Sequence, residues 1–169
     1  SGAPRVLMSD GCVDCGGCPK CSTNKTPLIN AARRGRAADV AKLLADGADA
    51  NEPSTDGSGY TALYFASQQG HARIVTMLLE AKAKVNVATA DYKFTPLYAA
   101  SEQGYAGIVT ALLRANARVD QAVEIVGGDE SGAKVDLTGF TALCTASKLG
   151  HADCVVALLD FNANVNQAI

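Results

Sequence analysis

Between Gly11 and Cys21 the chain reads "GCVDCGGCPKC", which sets Cys12, Cys15, Cys18 and Cys21 at an unbroken spacing of three. A C-x-x-C pair presents two thiolates to one ion across a tight turn, so "CVDC" and "CPKC" suit Zn²⁺. Gly16, Gly17 and Pro19 help the chain turn. The two pairs, however, stand only two residues apart, whereas structural zinc sites usually separate them by about a dozen or more. Closing four sulfurs around one tetrahedral ion within so short a run strains the backbone.

A second chemistry for the same run is an iron–sulfur cluster, held elsewhere by C-x2-C-x2-C-x3-C-P. Here the last spacing is shortened, the proline follows the third cysteine, and no second cysteine motif completes the set. Disulfides, within the run or between molecules, and loose thiols are the third reading. All three stay open. The two histidines, His71 and His151, each follow a glycine and read as groups that orient a turn. Catalysis would need a nucleophile and an orienting group beside them, and the sequence points to neither. "GGCPKCSTNK" does not have the P-loop spacing. No enzyme is expected from these residues.

Composition bounds what must position them. With 169 residues, 48% of them hydrophobic, the chain is long enough to bury one core. No apolar run approaches 18 residues, so no membrane span is expected. The N-terminus lacks a basic flank followed by an apolar stretch, which argues against an intact signal peptide. A net charge of -2 leaves no broad basic field for nucleic acid. Five Tyr, four Phe and no Trp, beside abundant alanine, suit short helices in close contact.

The organising feature is self-similarity. "TPLINAARRGRAADVAKLLADGADAN" from Thr26, "TALYFASQQGHARIVTMLLEAKAKVN" from Thr61, "TPLYAASEQGYAGIVTALLRANARVD" from Thr95 and "TALCTASKLGHADCVVALLDFNANVN" from Thr141 align without a gap. Leu28, Leu63, Leu97 and Leu143 recur two residues after the threonine, and a Leu-Leu pair recurs at 43–44, 78–79, 112–113 and 158–159. Threonine is a good helix N-cap, and Pro27 and Pro96 sit at the first helical position, where a missing N–H costs nothing. Gly35, Gly70, Gly104 and Gly150 stop the first helix in a left-handed conformation. A second apolar segment with helical spacing follows and ends near Gly47, Lys82, Asn116 or Asn162. Lys82 is the departure, with strain of about 1 kcal/mol if it turns left-handed. The small residues Ala31, Ala66, Ala100 and Ala146 let helices approach. A helix pair this short must stack on its neighbours.

These four segments resemble ankyrin repeats, over roughly residues 25–169. The resemblance implies an all-α repeat solenoid of helix–turn–helix units with β-hairpin-like fingers between them; residues 1–24 read as a Cys-rich N-terminal extension or cap, since a repeat array needs its exposed end covered. Two connections, Glu52–Tyr60 and Val87–Phe94, have the family's length. The third, Gln121–Phe140, is longer, and "AVEIV" and "AKVDL" flanking "GGDESG" suggest an extended hairpin at 121–140. It reads equally as a tolerated surface insertion or as a partner-contacting finger.

Function, by resemblance, is protein–protein binding through finger tips and the concave face of the first helices. Carried over by position, the contacts are the residue before each threonine (Lys25, Tyr60, Phe94 and Phe140) and the two before each helix-ending glycine (Arg33 and Arg34, Gln68 and Gln69, Glu102 and Gln103, Lys148 and Leu149). Tyr60, Phe94 and Phe140 would line a groove as aromatic anchors or pack between fingers. The family's histidine three residues after the threonine is replaced by Ile29, Tyr64, Tyr98 and Cys144, so its hydrogen bonds must be replaced or lost. Cys154 fills a slot held by Ile74 and Ile108 and reads as a small buried hydrophobe. The expectation is an intracellular interaction module, cytoplasmic or nuclear. The alternatives are a metal- or redox-responsive regulator using Cys12–Cys21, with zinc as its cofactor, and a substrate-recruiting part of a larger enzyme. "NQAI" carries no evident polar capping helix, so the array can continue into further repeats.

Overall fold

Each repeat opens on a threonine whose hydroxyl closes the first turn of a helix. Thr26, Thr61, Thr95 and Thr141 have extended backbones. Their Oγ1 atoms accept from the N–H groups of Ile29 (3.3 Å), Tyr64 (3.2 Å), Tyr98 (3.2 Å) and Cys144 (3.3 Å). Each such cap stabilises its helix by about 1 kcal/mol relative to alanine. The computed structural model describes residues 26–124 and 139–167, in which eight helices follow one another: α1 (Pro27–Arg33), α2 (Ala37–Ala45), α3 (Ala62–Gln68), α4 (Ala72–Glu80), α5 (Pro96–Glu102), α6 (Ala106–Arg114), α7 (Ala142–Leu149) and α8 (Ala152–Asp160).

Glycine ends every first helix at positive φ: 71° at Gly35, 77° at Gly70, 80° at Gly104 and 78° at Gly150. The second helices end alike, at Gly47 (89°), Lys82 (62°), Asn116 (64°) and Asn162 (60°). In each, the left-handed residue and the one after it donate back to the last-turn carbonyls. Lys82 N–H reaches Leu79 O at 3.0 Å and Ala83 N–H reaches Leu78 O at 2.9 Å. Lys82 therefore adopts the strained geometry that its position demands, and those two bonds hold it there.

Helices of seven to nine residues are marginal alone, so packing must hold them. The first helices α1, α3, α5 and α7 lie side by side, each also against its own second helix, and the second helices form the other layer. Ala31, Ala66, Ala100 and Ala146 are at most 1% exposed where the first helices meet. Val40, Val75, Val109, Leu78, Leu112 and Leu158 are fully buried between the layers.

The described residues contain no strand. Each finger is instead a turn tied at its base: Ser54 N–H to Tyr60 O (2.8 Å), Thr89 N–H to Phe94 O (3.0 Å) and Val123 N–H to Phe140 O (2.9 Å). Neighbouring fingers are joined by Ala90 N–H to Ser58 O (2.9 Å) and Glu124 N–H to Tyr92 O (3.2 Å). The centre of the hairpin expected at 121–140, and the extension at 1–24 with Lys25, lie outside the described residues.

Candidate protein-binding groove

The first helices stop one residue short of their glycines, or two in α1, α3 and α5, so the side chains just before each glycine stand at the rim of the inner layer. Arg33, Gln68 and Glu102 are half-buried there, while Arg34, Gln69, Gln103, Lys148 and Leu149 are exposed. The structure brings these positions into one row because successive first helices are neighbours. The row changes chemistry along its length, from two arginines through glutamines and a carboxylate to a lysine and a leucine.

What fixes the row is a ring from the following repeat. A Cβ on Gly35 would lie 2.7 Å from the His71 ring, one on Gly70 2.6 Å from Tyr105, and one on Gly104 2.8 Å from His151. His71 Nε2–H donates to Arg33 O (3.3 Å) and His151 Nε2–H donates to Glu102 O (3.0 Å). The histidines do orient this turn, and they do so across the repeat boundary. Residues 36, 71, 105 and 151 make no side-chain cap bond to their own helices. At 71 and 151 the ring nitrogen is committed to the neighbour instead.

The three aromatics expected to line the groove differ in exposure. Tyr60 is half-buried, its ring 4.8 Å from that of Tyr64 and 5.2 Å from that of Phe65. Phe140 is half-buried with Lys148 Nζ 5.1 Å above its ring, a cation–π contact. Phe94 is only 8% exposed, stacked between Tyr92 (5.3 Å) and Tyr98 (4.9 Å). The second finger carries the extra ring Tyr92, which covers Phe94, so a continuous stripe of three exposed rings does not form.

Tyr64 and Tyr98, standing where histidine was expected, fill the space with rings and are 3% and 4% exposed. Burial pushes the Tyr64 hydroxyl well above the usual tyrosine range, with Tyr60, Glu102 and Tyr98 adding to it. Burial also raises Tyr98. The Glu102 carboxyl is raised by burial and eased by the Gln103 amide, whose Nε2–H points at it from 3.5 Å. Near the middle of the row, the buried tyrosine hydroxyls stay neutral and the Glu102 carboxylate is costly to ionise.

Sequence reasoning missed a second set of contacts. Asn51 Oδ1 accepts from Lys84 N–H (2.6 Å), and its Nδ2–H donates to Lys82 O (3.5 Å). Asn86 repeats this with Arg118 N–H (2.8 Å) and Asn116 O (3.1 Å). Asp120 accepts from Asn164 N–H (2.8 Å). The signal was the recurring Asn, Asn, Asp, Asn that ends each aligned segment.

The proposed metal ligands Cys12, Cys15, Cys18 and Cys21 lie outside the described residues. Among the described residues no three His, Cys, Asp or Glu side chains are grouped to hold a metal ion. Cys154 is buried and its thiol is raised, first by burial and then by Asp153, as suits a residue in a core slot. No helix among the described residues is long and apolar enough to cross a membrane.

A family model of ankyrin repeats matches the chain in three copies, over residues 5–89, 53–123 and 88–168. The chain belongs to the ankyrin-repeat family. Ankyrin repeats are generally protein–protein interaction modules and typically non-catalytic. A relative among characterised proteins, the probable E3 ubiquitin-protein ligase XBOS33 of Oryza sativa subsp. japonica, is 42% identical over 67 residues. That stretch is 40% of this chain and 13% of the rice protein, so the chain spans a small part of the relative it matches.

Proposed function

We propose that this ankyrin-repeat array binds one partner protein along the row formed by the ends of its first helices and the bases of its fingers. The observation that carries this reading is the exposure of Arg34, Gln69, Gln103 and Leu149 at one repeated position. They are rigidly set by buried helices yet differ in chemistry from repeat to repeat. A polyanion reader would repeat one charge; a surface for a folded or extended protein varies it. Half-buried Arg33, Gln68 and Glu102, with exposed Lys148, supply the neighbouring polar contacts. Tyr60 and Phe140 supply the apolar ones. Phe94 supports the finger from within.

The test is affinity capture from the source cell with wild type and an Arg34→Ala/Gln69→Ala/Gln103→Ala/Lys148→Ala variant, followed by titration of the recovered partner. The control is Arg73→Ala/Arg114→Ala, two exposed positions on the second helices. Loss of binding in the first variant and retention in the second supports the groove. Equal recovery with all three proteins removes it.

A second reading rests on the match to the rice protein, which is named as a ubiquitin ligase. In this reading the array recruits the substrate for an enzyme whose catalytic part lies in another region of a longer chain. The bound partner would then become ubiquitinated in a reconstituted reaction with the longer protein, and would not with the four-site variant.

A further inference from the structure

One position in the row breaks the pattern set by its equivalents. Arg33, Gln68, Glu102 and Lys148 occupy the same place in successive repeats, in the last turn of α1, α3, α5 and α7. Carbonyl groups at the end of a helix favour a cation there and disfavour a carboxylate. Arg33 and Lys148 follow that preference, Gln68 is neutral, and Glu102 runs against it.

The surroundings of Glu102 do not offset this. Its side chain is half-buried, and burial holds its carboxyl above the usual range. Among the described residues its carboxylate has one hydrogen-bond donor, the Gln103 amide at 3.5 Å. Tyr64 and Tyr98 feel its charge but bring no positive group. The described residues form one ion pair, Arg36–Asp39, and Glu102 is not part of it. Glu102 is thus a carboxylate whose ionisation weakens the free chain, set on a binding row with no cation of the described chain to meet it.

Two repeats away the charge is reversed. Arg33 and Arg34 end α1 side by side, Arg34 exposed, and neither is paired with a described carboxylate. The neutral amides of Gln68 and Gln69 lie between. Packed helices lie about 8–10 Å apart, so the arginines and Glu102 stand about 16–20 Å apart. An extended chain covers that distance in about five or six residues.

Resting on the groove proposed above, we propose that the row binds an extended segment of its partner that carries two opposite charges in register. An acidic side chain of the segment meets Arg33 and Arg34, and a lysine or arginine about five or six residues along it meets Glu102. The partner's cation supplies the ion pair that Glu102 lacks, and the amide oxygens of Gln69 and Gln103 offer further acceptors to its N–H groups. Charge order also fixes the register. A segment displaced by one repeat sets its cation against neutral Gln68 or against Lys148, where like charges oppose binding.

The probe is a displayed library of random linear peptides of about 12 residues, long enough to span these positions when extended. Selection on wild type is expected to enrich Asp or Glu about five or six residues from Lys or Arg. Glu102→Gln is expected to lose enrichment of the base, keep that of the acid, and weaken the wild-type-selected peptides about tenfold or more in Kd. Arg33→Gln/Arg34→Gln is expected to do the converse. Glu102→Lys is expected to regain affinity for peptides whose base is replaced by Glu, a rescue that a purely structural role for Glu102 would not produce. The proposal is overturned if the base is still enriched on Glu102→Gln, if wild type selects peptides without the two charges, or if the charge exchange gives no rescue. The groove itself survives those outcomes when the selected peptides are lost on the four-site variant above. A library that yields no binder also overturns the proposal alone, because the affinity-capture test of the groove does not require an extended partner. Peptides that bind the four-site variant as tightly as wild type overturn both.

Discussion

Repeats two and three meet through the same first-helix packing as repeats three and four, but the second helices pack more closely at the latter junction, and the polar contacts at the two junctions are distributed differently. At the first, the ring on the glycine is Tyr105, and Asn86 clamps the next repeat from both sides, accepting from Arg118 N–H and donating to Asn116 O. At the second, the ring is His151, which adds a hydrogen bond to Glu102 O. Asp120 there accepts from Asn164 N–H but, being a carboxylate, has no N–H to offer the Asn162 carbonyl. Gln167 Nε2–H donates to Asp120 O at 3.3 Å instead. A donor missing at the finger side of one junction is thus matched by a donor gained at the helix side. The packing of the first helices is kept, and hydrogen bonds are exchanged around it.

The largest expected effect tests the constant part. Gly70→Ala and Gly104→Ala each place a methyl group inside a ring's position as well as on a left-handed backbone, and should cost about 2–4 kcal/mol in urea unfolding. Gly150→Ala shares the φ but has open space and should cost only about 1 kcal/mol. Equal losses at all three sites would show that backbone conformation, rather than the ring, decides the junction.

Next come the clamps. Asn86→Ala removes a donor and an acceptor and should cost about 1–2 kcal/mol, and Asp120→Ala, with one side-chain bond to lose, about 0.5–1 kcal/mol. Reversal of that order in thermal unfolding would break the comparison. Asp120→Asn restores the missing donor opposite Asn162 O and should stabilise the chain by about 0.5 kcal/mol. A lower melting midpoint would mean that the carboxylate does more at this junction than accept one N–H.

The smallest effect concerns Glu102, whose carbonyl receives His151 and whose carboxyl is held above the usual range by burial. The folded chain keeps this proton at a pH where the unfolded chain has released it. The resulting contribution to stability is complete below the ordinary carboxylate range and is lost as pH rises through the folded value. Glu102→Gln should therefore be modestly more stable than wild type at pH 7, with the difference closing on acidification. Denaturant midpoints between pH 7 and pH 3 measure this, and a difference that widens toward acid would show the carboxylate to be favourably paired.

Local signals were legible because each acts within one repeat. The Thr caps, the helix-ending glycines, the Leu-Leu pairs and even the left-handed Lys82 could be placed from the sequence. Contacts between repeats were not. The histidines' carbonyl partners lie 38 and 49 residues away, and the asparagine clamps join residues about one repeat apart. Phe94 looked like Tyr60 and Phe140 in register, yet its burial depends on Tyr92 in the finger and Tyr98 in the helix. Register gives the position of a side chain, while exposure depends on the sizes of its neighbours, and those differ from repeat to repeat.

The single backbone hydrogen bonds between fingers have a mechanical consequence. A β-sheet resists shear because each pair of strands shares a ladder; here one backbone bond, Ala90 to Ser58 or Glu124 to Tyr92, joins each described pair of fingers, beside the Asn51, Asn86 and Asp120 side-chain bonds at their bases. The two helix layers form a stiff spine, and the finger side a compliant edge. Bending of the array should concentrate along that edge, so a partner seated in the groove can alter its curvature by sliding one finger past the next without disturbing a buried helix contact.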